Sequence, residues 1–186
     1  TTYNEFKGFG LRGVKEDVVG YSHSSEFSIE ALKDASNTVA SVKAGYSGEK
    51  IIDPFKTNNK LYSDRNPLEV RNFTEKIKLL EEINSYAREC DSRVSQVSVN
   101  LSGLWQKIKI LKPSGQGLSD VRPLVRLNVS ITLEEGGKKE TGSVGFGGRY
   151  SYNDFFQEKT WKAEVKKAIS QADTMVKAIP TPAGEQ

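Results

Sequence analysis

The 186-residue sequence predicts an α+β fold: an antiparallel or mixed β-sheet with three main helices packed mostly on one face. Three observations carry that expectation. From Val121 to Glu134 the odd positions are Val121, Pro123, Val125, Leu127, Val129, Ile131 and Leu133, while the even ones include Arg122, Arg126, Asn128, Ser130 and Thr132. Period-two alternation marks a strand with one face in a core and the other toward water or a cavity. Strand-like runs around it are separated only by Ser102-Gly103, Pro113-Ser114-Gly115 and Glu135-Gly136-Gly137, connections short enough for antiparallel neighbours. Elsewhere, apolar residues recur at the three- and four-residue steps of helices that bury one stripe.

Taken in order, residues 8–14 and 18–23 read as a hairpin, with Lys15-Glu16-Asp17 as its polar turn. Ser28 is placed to cap a helix running to about Lys43, with Ile29, Leu32, Ala35, Val39 and Val42 as its stripe and Gly45 as its stop. Residues 46–68 lose all periodicity and are punctuated by Gly48, Asp53-Pro54, Asn58-Asn59 and Asn66-Pro67, the signature of a long surface connection. Asn72-Phe73-Thr74-Glu75 then has the form of a capping box. The helix it opens is expected to bury Phe73, Ile77, Leu80, Tyr86 or Ala87, and Cys90. Strands follow at 97–102, at about 107–111, through the arginine-bearing run, and at 139–149. A last helix from about Asp154 to Ala178 carries Trp161, Val165, Ala168, Ile169, Ala172 and Val176. It ends at Ile179-Pro180-Thr181-Pro182, which reads as a linker. The expected organisation is one domain over 1–179 and the start of a linker at 180–186, without an internal repeat.

Composition removes several function classes. No run of about 18 apolar residues exists, so no membrane helix is expected. The single Cys90 excludes an internal disulfide and suits a reducing, cytoplasmic compartment. Net charge is +3, and residues 104–149 hold eight Lys or Arg against four acids. That bias lacks the dense cationic runs and interleaved aromatics of a committed nucleic-acid binder, so such a partner is not expected.

The motifs are weighed in the same way. The run Gly142-Ser143-Val144-Gly145-Phe146-Gly147-Gly148 matches neither a phosphate-binding P-loop nor a dinucleotide fingerprint. Its glycines either admit a neighbouring backbone or mark a bend. The adjacent pairs Glu81-Glu82 and Glu134-Glu135 point their members apart, which does not suit acid–base work. His23 is read as a surface or capping residue, and Trp105 and Trp161 as core or interface aromatics. Arg122, Arg126 and Arg149 remain open between two roles: salt bridges on a solvated face, or a charged wall that meets substrate or a second subunit. Arg122 and Arg126 would stand roughly 14 Å apart along the strand, at about 3.4 Å per residue.

The wording of this region also resembles a known family. Asp120-Val121-Arg122-Pro123-Leu124-Val125-Arg126-Leu127-Asn128-Val129-Ser130, followed by Gly147-Gly148-Arg149-Tyr150, is similar to the TldD/PmbA metallopeptidases, also called modulators of DNA gyrase, on their TldD side. Gly8-Phe9-Gly10-Leu11-Arg12, the stretch Tyr86 to Val94, Leu101-Ser102-Gly103 and Pro182-Ala183-Gly184 extend the likeness over nearly the whole chain. The resemblance implies a cytoplasmic zinc peptidase of small or unfolded peptides, paired with a TldE/PmbA-like subunit or with a second copy of itself. It also implies that zinc belongs to a C-terminal domain with a His-Glu-x-x-x-His helix. A catalytic zinc needs about three protein ligands, whereas this sequence has one histidine and one cysteine. No metal or cofactor and no catalytic residue is therefore expected in this chain, which is read as an inactive N-terminal substrate-access and dimerisation domain. The candidate substrate-binding residues are Arg122, Arg126, Gly145, Gly147, Gly148 and Arg149. The alternative is a non-catalytic interaction module, either a TldE-like subunit or a nucleic-acid or gyrase-associated regulator.

Overall fold

The structure, a computed structural model, describes residues 1–15, 17–40, 61–181 and 184. Glu16, the expected helical residues 41–43, Gly45, the 46–60 part of the long connection and Pro182-Ala183 lie outside the described residues. The fold is α+β with antiparallel sheets and three α-helices. The chain gathers into two compact units. One is Thr1–Ile52 with Pro113–Gly115, and the other is Asp53–Lys112 with Gln116–Gln186.

The first unit contains β1 (Phe9–Lys15) and β2 (Val18–Ser24), an antiparallel hairpin in which Phe9 faces Ser24 and Lys15 faces Val18. Helix α1 (Ile29–Val39) follows, and the Ser28 hydroxyl accepts the Ala31 N–H at 3.1 Å, as the capping rule requires. Its buried stripe is narrower than the spacing suggests: Ala35 and Val39 are buried, but Ile29 and Leu32 are exposed.

The second unit contains α2 (Phe73–Cys90), β3 (Val94–Leu111), β4 (Gly117–Glu135), β5 (Lys138–Gly148) and α3 (Glu158–Val176). The strands form one antiparallel sheet in the order β3-β4-β5, with β4 central. Val125, Leu127, Val129, Ile131 and Leu133 of β4 are wholly buried against Leu79, Ile83 and Ala87 of α2 and Trp161, Val165, Ala168 and Ala172 of α3. Both helices therefore lie on the face that the odd positions select, and the even positions face away from them.

Three details depart from the sequence reading. The strands expected at 97–102 and 107–111 are one continuous strand, because Ser102-Gly103 is not a turn: Gly103 pairs with Val125 inside the ladder. A Cβ at Gly103 would sit 2.2 Å from the Tyr152 hydroxyl, so the glycine makes room for a packed tyrosine. On α2 the buried seam is Leu79, Ile83 and Ala87, whereas Phe73 and Cys90 are exposed. The three- and four-residue spacing fits either phase of that helix, and contact with β3 and α3 selects one. The last helix begins four residues later than expected, since Tyr152–Phe156 forms a 3₁₀ turn ahead of it.

The capping box at α2 is complete: Asn72 Oδ1 accepts the Glu75 N–H at 2.9 Å, and Glu75 Oε2 accepts the Asn72 N–H at 3.0 Å. Asn72→Ala removes the first of these bonds and leaves an orphan N–H. Its expected cost is about 1 kcal/mol, read as a lower urea midpoint with an unchanged m-value. An unshifted midpoint would mean that the cap contributes nothing.

Candidate functional site: the open sheet face and its β5 edge

The face of the sheet turned away from α2 and α3 is a ladder of small polar side chains. Register aligns Gln96, Thr132 and Thr141 in one row, Ser98, Ser130 and Ser143 in the next, then Asn100, Asn128 and Gly145, then Ser102, Arg126 and Gly147. Hydroxyl pairs link the first two rows, at 2.7 Å between Ser130 and Ser143 and 2.8 Å between Thr132 and Thr141. Lys139 and Glu134 close the end of the ladder at 3.1 Å.

The three arginines do not form one wall. Arg126 is exposed; its Nε donates to Asn128 Oδ1 at 2.8 Å, and no carboxylate partners it among the described residues. It lies over Gly145, where a Cβ would come within 2.5 Å of both Arg126 Nη2 and Asn128 Oδ1. The missing side chain at Gly145 is what lets the guanidinium lie flat on the sheet. Arg122 is instead held by Asp120, with Nε 2.7 Å from Oδ2, and the Tyr62 hydroxyl donates to the same oxygen at 3.0 Å. The Arg149 guanidinium stacks on the Tyr62 ring, 5.0 Å from its centroid. Arg122 and Arg149 are thus joined through Asp120 and Tyr62 into one cluster. The Arg122 guanidinium, assisted by Tyr62, holds the Asp120 carboxyl below the usual aspartate range, and Asp120 in turn raises Arg122. Asp120 neutralises Arg122 alone, so the cluster keeps one net positive charge: Arg149 meets only the Tyr62 ring, and Arg126 only the neutral Asn128 amide, among the described residues.

Sequence reasoning missed Tyr62 and Asp120. Asp120 carries a signal, since it stands two residues from Arg122 and so shares its face of the strand. Tyr62 carries none, because it sits in a segment without periodicity.

The edge of β5 is the second feature. Ser143 N–H donates to Gln171 Oε1 of α3 at 3.1 Å, so this amide turns outward from the sheet. In an antiparallel pair the outward-turned residues alternate, which places the N–H and C=O groups of Gly145 and Gly147 on the same outer edge. The site glycines serve different purposes. A Cβ on Gly147 would lie 2.1 Å from the Val125 carbonyl oxygen, so Gly147 is required by its own strand pairing. A Cβ on Gly148 would strike the Tyr150 ring at 2.5 Å.

Among the described residues no three His, Cys, Asp or Glu side chains gather as metal ligands. The described residues therefore do not fit a zinc site. No helix among the described residues is long and apolar enough to cross a membrane.

The same backbone fold is found in solved proteins. A protein described as a modulator of DNA gyrase from Thermotoga maritima superposes with a TM-score of 0.65 at 18% identity, over 95% of this chain and 39% of that one. TldE from Thermococcus kodakarensis superposes with a TM-score of 0.56 at 17% identity, over 87% of this chain and 36% of that one. These likenesses define the fold. The family described as the PmbA/TldA metallopeptidase central domain matches residues 66–176, more than half of the sequence, and the chain belongs to that family. It is 33% identical to a metalloprotease TldD homolog of Haemophilus influenzae, over 96% of this chain and 38% of the relative. A metalloprotease TldD homolog of Buchnera aphidicola (Schizaphis graminum) is also 33% identical, over 84% of this chain and 32% of the relative. The chain thus spans about a third of the length of the curated relatives it matches.

Proposed function

We propose that this chain is the substrate-access and pairing part of a TldD-like zinc metallopeptidase that cleaves small or unfolded peptides. In this reading the zinc and the catalytic groups lie outside residues 1–186, residues 180–186 lead toward them, and the chain pairs with a TldE-like subunit or a second copy. The single observation that supports it best is the β5 edge, where Gly145 and Gly147 turn their backbone groups outward beside Arg126. A peptidase of varied unfolded substrates gains from main-chain hydrogen bonds, because every peptide offers them whatever its side chains. Arg126, without an acidic partner among the described residues, would favour acidic segments at that edge.

Gly145→Val in the full protein tests this reading. The added side chain meets Arg126 and Asn128 rather than backbone, so the strand pairing survives while the Arg126 guanidinium is pushed off the sheet beside the edge. Peptide turnover is expected to fall several-fold, with zinc content and melting temperature unchanged. Normal turnover in the folded variant would overturn the docking edge. Gly147 is unsuited to the same test, since its substitution would drive into the Val125 carbonyl. The 186-residue chain by itself is expected to be inactive, and zinc-dependent peptide cleavage by the pure chain would refute the division of labour.

A further inference from the structure

A cleft of about 420 Å³ opens on the helix-bearing side of the sheet, beyond the end of β5. Its size lies within the range of small-molecule sites, roughly 300–1,000 Å³. Pro67, Val70 and Pro123 supply its apolar part, and Ser63, Arg65, Tyr150, Ser151 and Asn153 its polar part. Among the described residues no carboxylate lines it.

Every polar group in that lining is available as a donor. The Arg65 side chain has neither a hydrogen bond nor an ion pair among the described residues, and a guanidinium has no acceptor to offer. Ser63 Oγ accepts the Arg65 N–H at 3.2 Å, and Ser151 Oγ accepts the Asn153 N–H at 3.2 Å, so each hydroxyl keeps its proton. Asn153 Oδ1 is occupied by Arg71 Nε at 2.8 Å, which fixes the amide and leaves its Nδ2 protons to donate. Burial, with the nearby Asp154 charge, pushes the Tyr150 hydroxyl up, so it too stays protonated.

The residue that sets Asn153 is itself unusual. Arg71 has φ = 67°, the left-handed region that a long side chain rarely adopts. It is held there by Glu75, 3.0 Å from Nη1, and by the Phe156 ring, 4.9 Å from the guanidinium carbon. Such outliers persist where surrounding contacts over-determine them, commonly at ligand clamps.

We infer that this cleft binds a carboxylate borne on a small apolar body, with Arg65 and the Asn153 amide taking the carboxylate and Pro67, Val70 and Pro123 taking the body. The C-terminal residue of a short peptide and a free branched-chain carboxylic acid share this chemistry. The site is separate from the β5 edge and from Arg126, so it stands or falls independently of the peptidase reading.

Titration of the isotopically labelled 186-residue chain tests it, with N-acetyl-leucyl-leucine, the same dipeptide as its C-terminal amide, and 4-methylpentanoate. Both acids are expected to give saturable shifts of the Ser63, Tyr150 and Asn153 amides in the millimolar range, and the amide none. Tighter binding of the dipeptide acid assigns the site to peptide ends, and tighter binding of 4-methylpentanoate assigns it to free acids. Arg65→Gln, at an exposed side chain with no partner among the described residues, should weaken both about tenfold, or ~1.4 kcal/mol. Tyr150→Phe keeps the ring over Gly148 and should weaken them a few-fold. Equal binding of acid and amide, the absence of any saturable shift, or full affinity in Arg65→Gln would overturn the inference.

Discussion

Gly142→Ala is expected to destabilise the second unit by about 3 kcal/mol, the upper end of the usual cost of forcing extra atoms into a packed interior. Gly142 is buried on the helix side of β5, directly beneath α3. A single methyl placed there would lie 1.9 Å from the Ala168 carbonyl oxygen and 2.7 Å from the Ala172 amide nitrogen. Both are helix backbone, so no rotamer change relieves the clash; α3 must move off the sheet. That would loosen Val165, Ala168 and Ala172, all wholly buried against β4. For a unit of this size the melting temperature should fall by roughly 10 °C. Ser143→Ala, one residue along on the opposite face, is the control: it removes one exposed hydroxyl pair and should change little. A Gly142→Ala protein that melts like the wild type would mean that α3 lies further from β5 than described.

Arg93→Met should produce the second large loss, together with a changed acid profile. Arg93 ties three elements to one side chain: Nη2 lies 2.8 Å from Asp91 after α2 and 2.7 Å from Asp173 of α3, and Nη1 lies 2.7 Å from Glu135 at the end of β4. Charge-assisted bonds of this kind are stronger than neutral ones, and removing the shared cation leaves three carboxylates facing one another. Arg93 holds the Asp91 carboxyl below its ordinary value of 3.8. Lys177 first, and Arg93 second, do the same for Asp173. A carboxylate with a lowered folded pKa binds fewer protons in the folded than in the unfolded chain. Its stabilisation is therefore complete above the ordinary value and is lost as pH falls below 3.8 through the lowered one. The wild type should lose stability across that window. Arg93→Met should already be weaker at neutral pH by several degrees of melting temperature and should decline less steeply below pH 4. Asp91 accounts for most of the difference, because Asp173 keeps Lys177 at 2.6 Å. Parallel pH profiles for the two proteins would refute the coupling.

Much of the second unit is legible in its residues because its signals are local. Alternation along β4 identifies both its buried and its open face, since consecutive side chains of a strand must point to opposite sides. Asn72 and Glu75 announce the start of α2 because each completes the other's hydrogen bonding within one turn. Where a signal has two physical readings, sequence alone leaves it open. Glycine is such a signal: Gly103 suggests a turn yet sits in mid-strand under Tyr152, and the run at 142–148 looks uniform although each glycine faces a different obstacle. The phase of α2 is another, since Phe73 and Leu79 are both apolar and only packing against β3 and α3 buries the second.

The sequence by itself determined the α+β class, the central strand with its two faces, the capped helix and the family to which the chain belongs. These follow from periodicity, capping chemistry and wording within short windows. Only the tertiary structure decided which of the three arginines gains an acidic partner, where the outer edge of β5 lies, and that a donor-lined cleft joins residues 63–70 to Pro123 and residues 150–153. Those features depend on residues dozens of positions apart meeting through the β3-β4-β5 register, and such meetings leave no trace in local spacing.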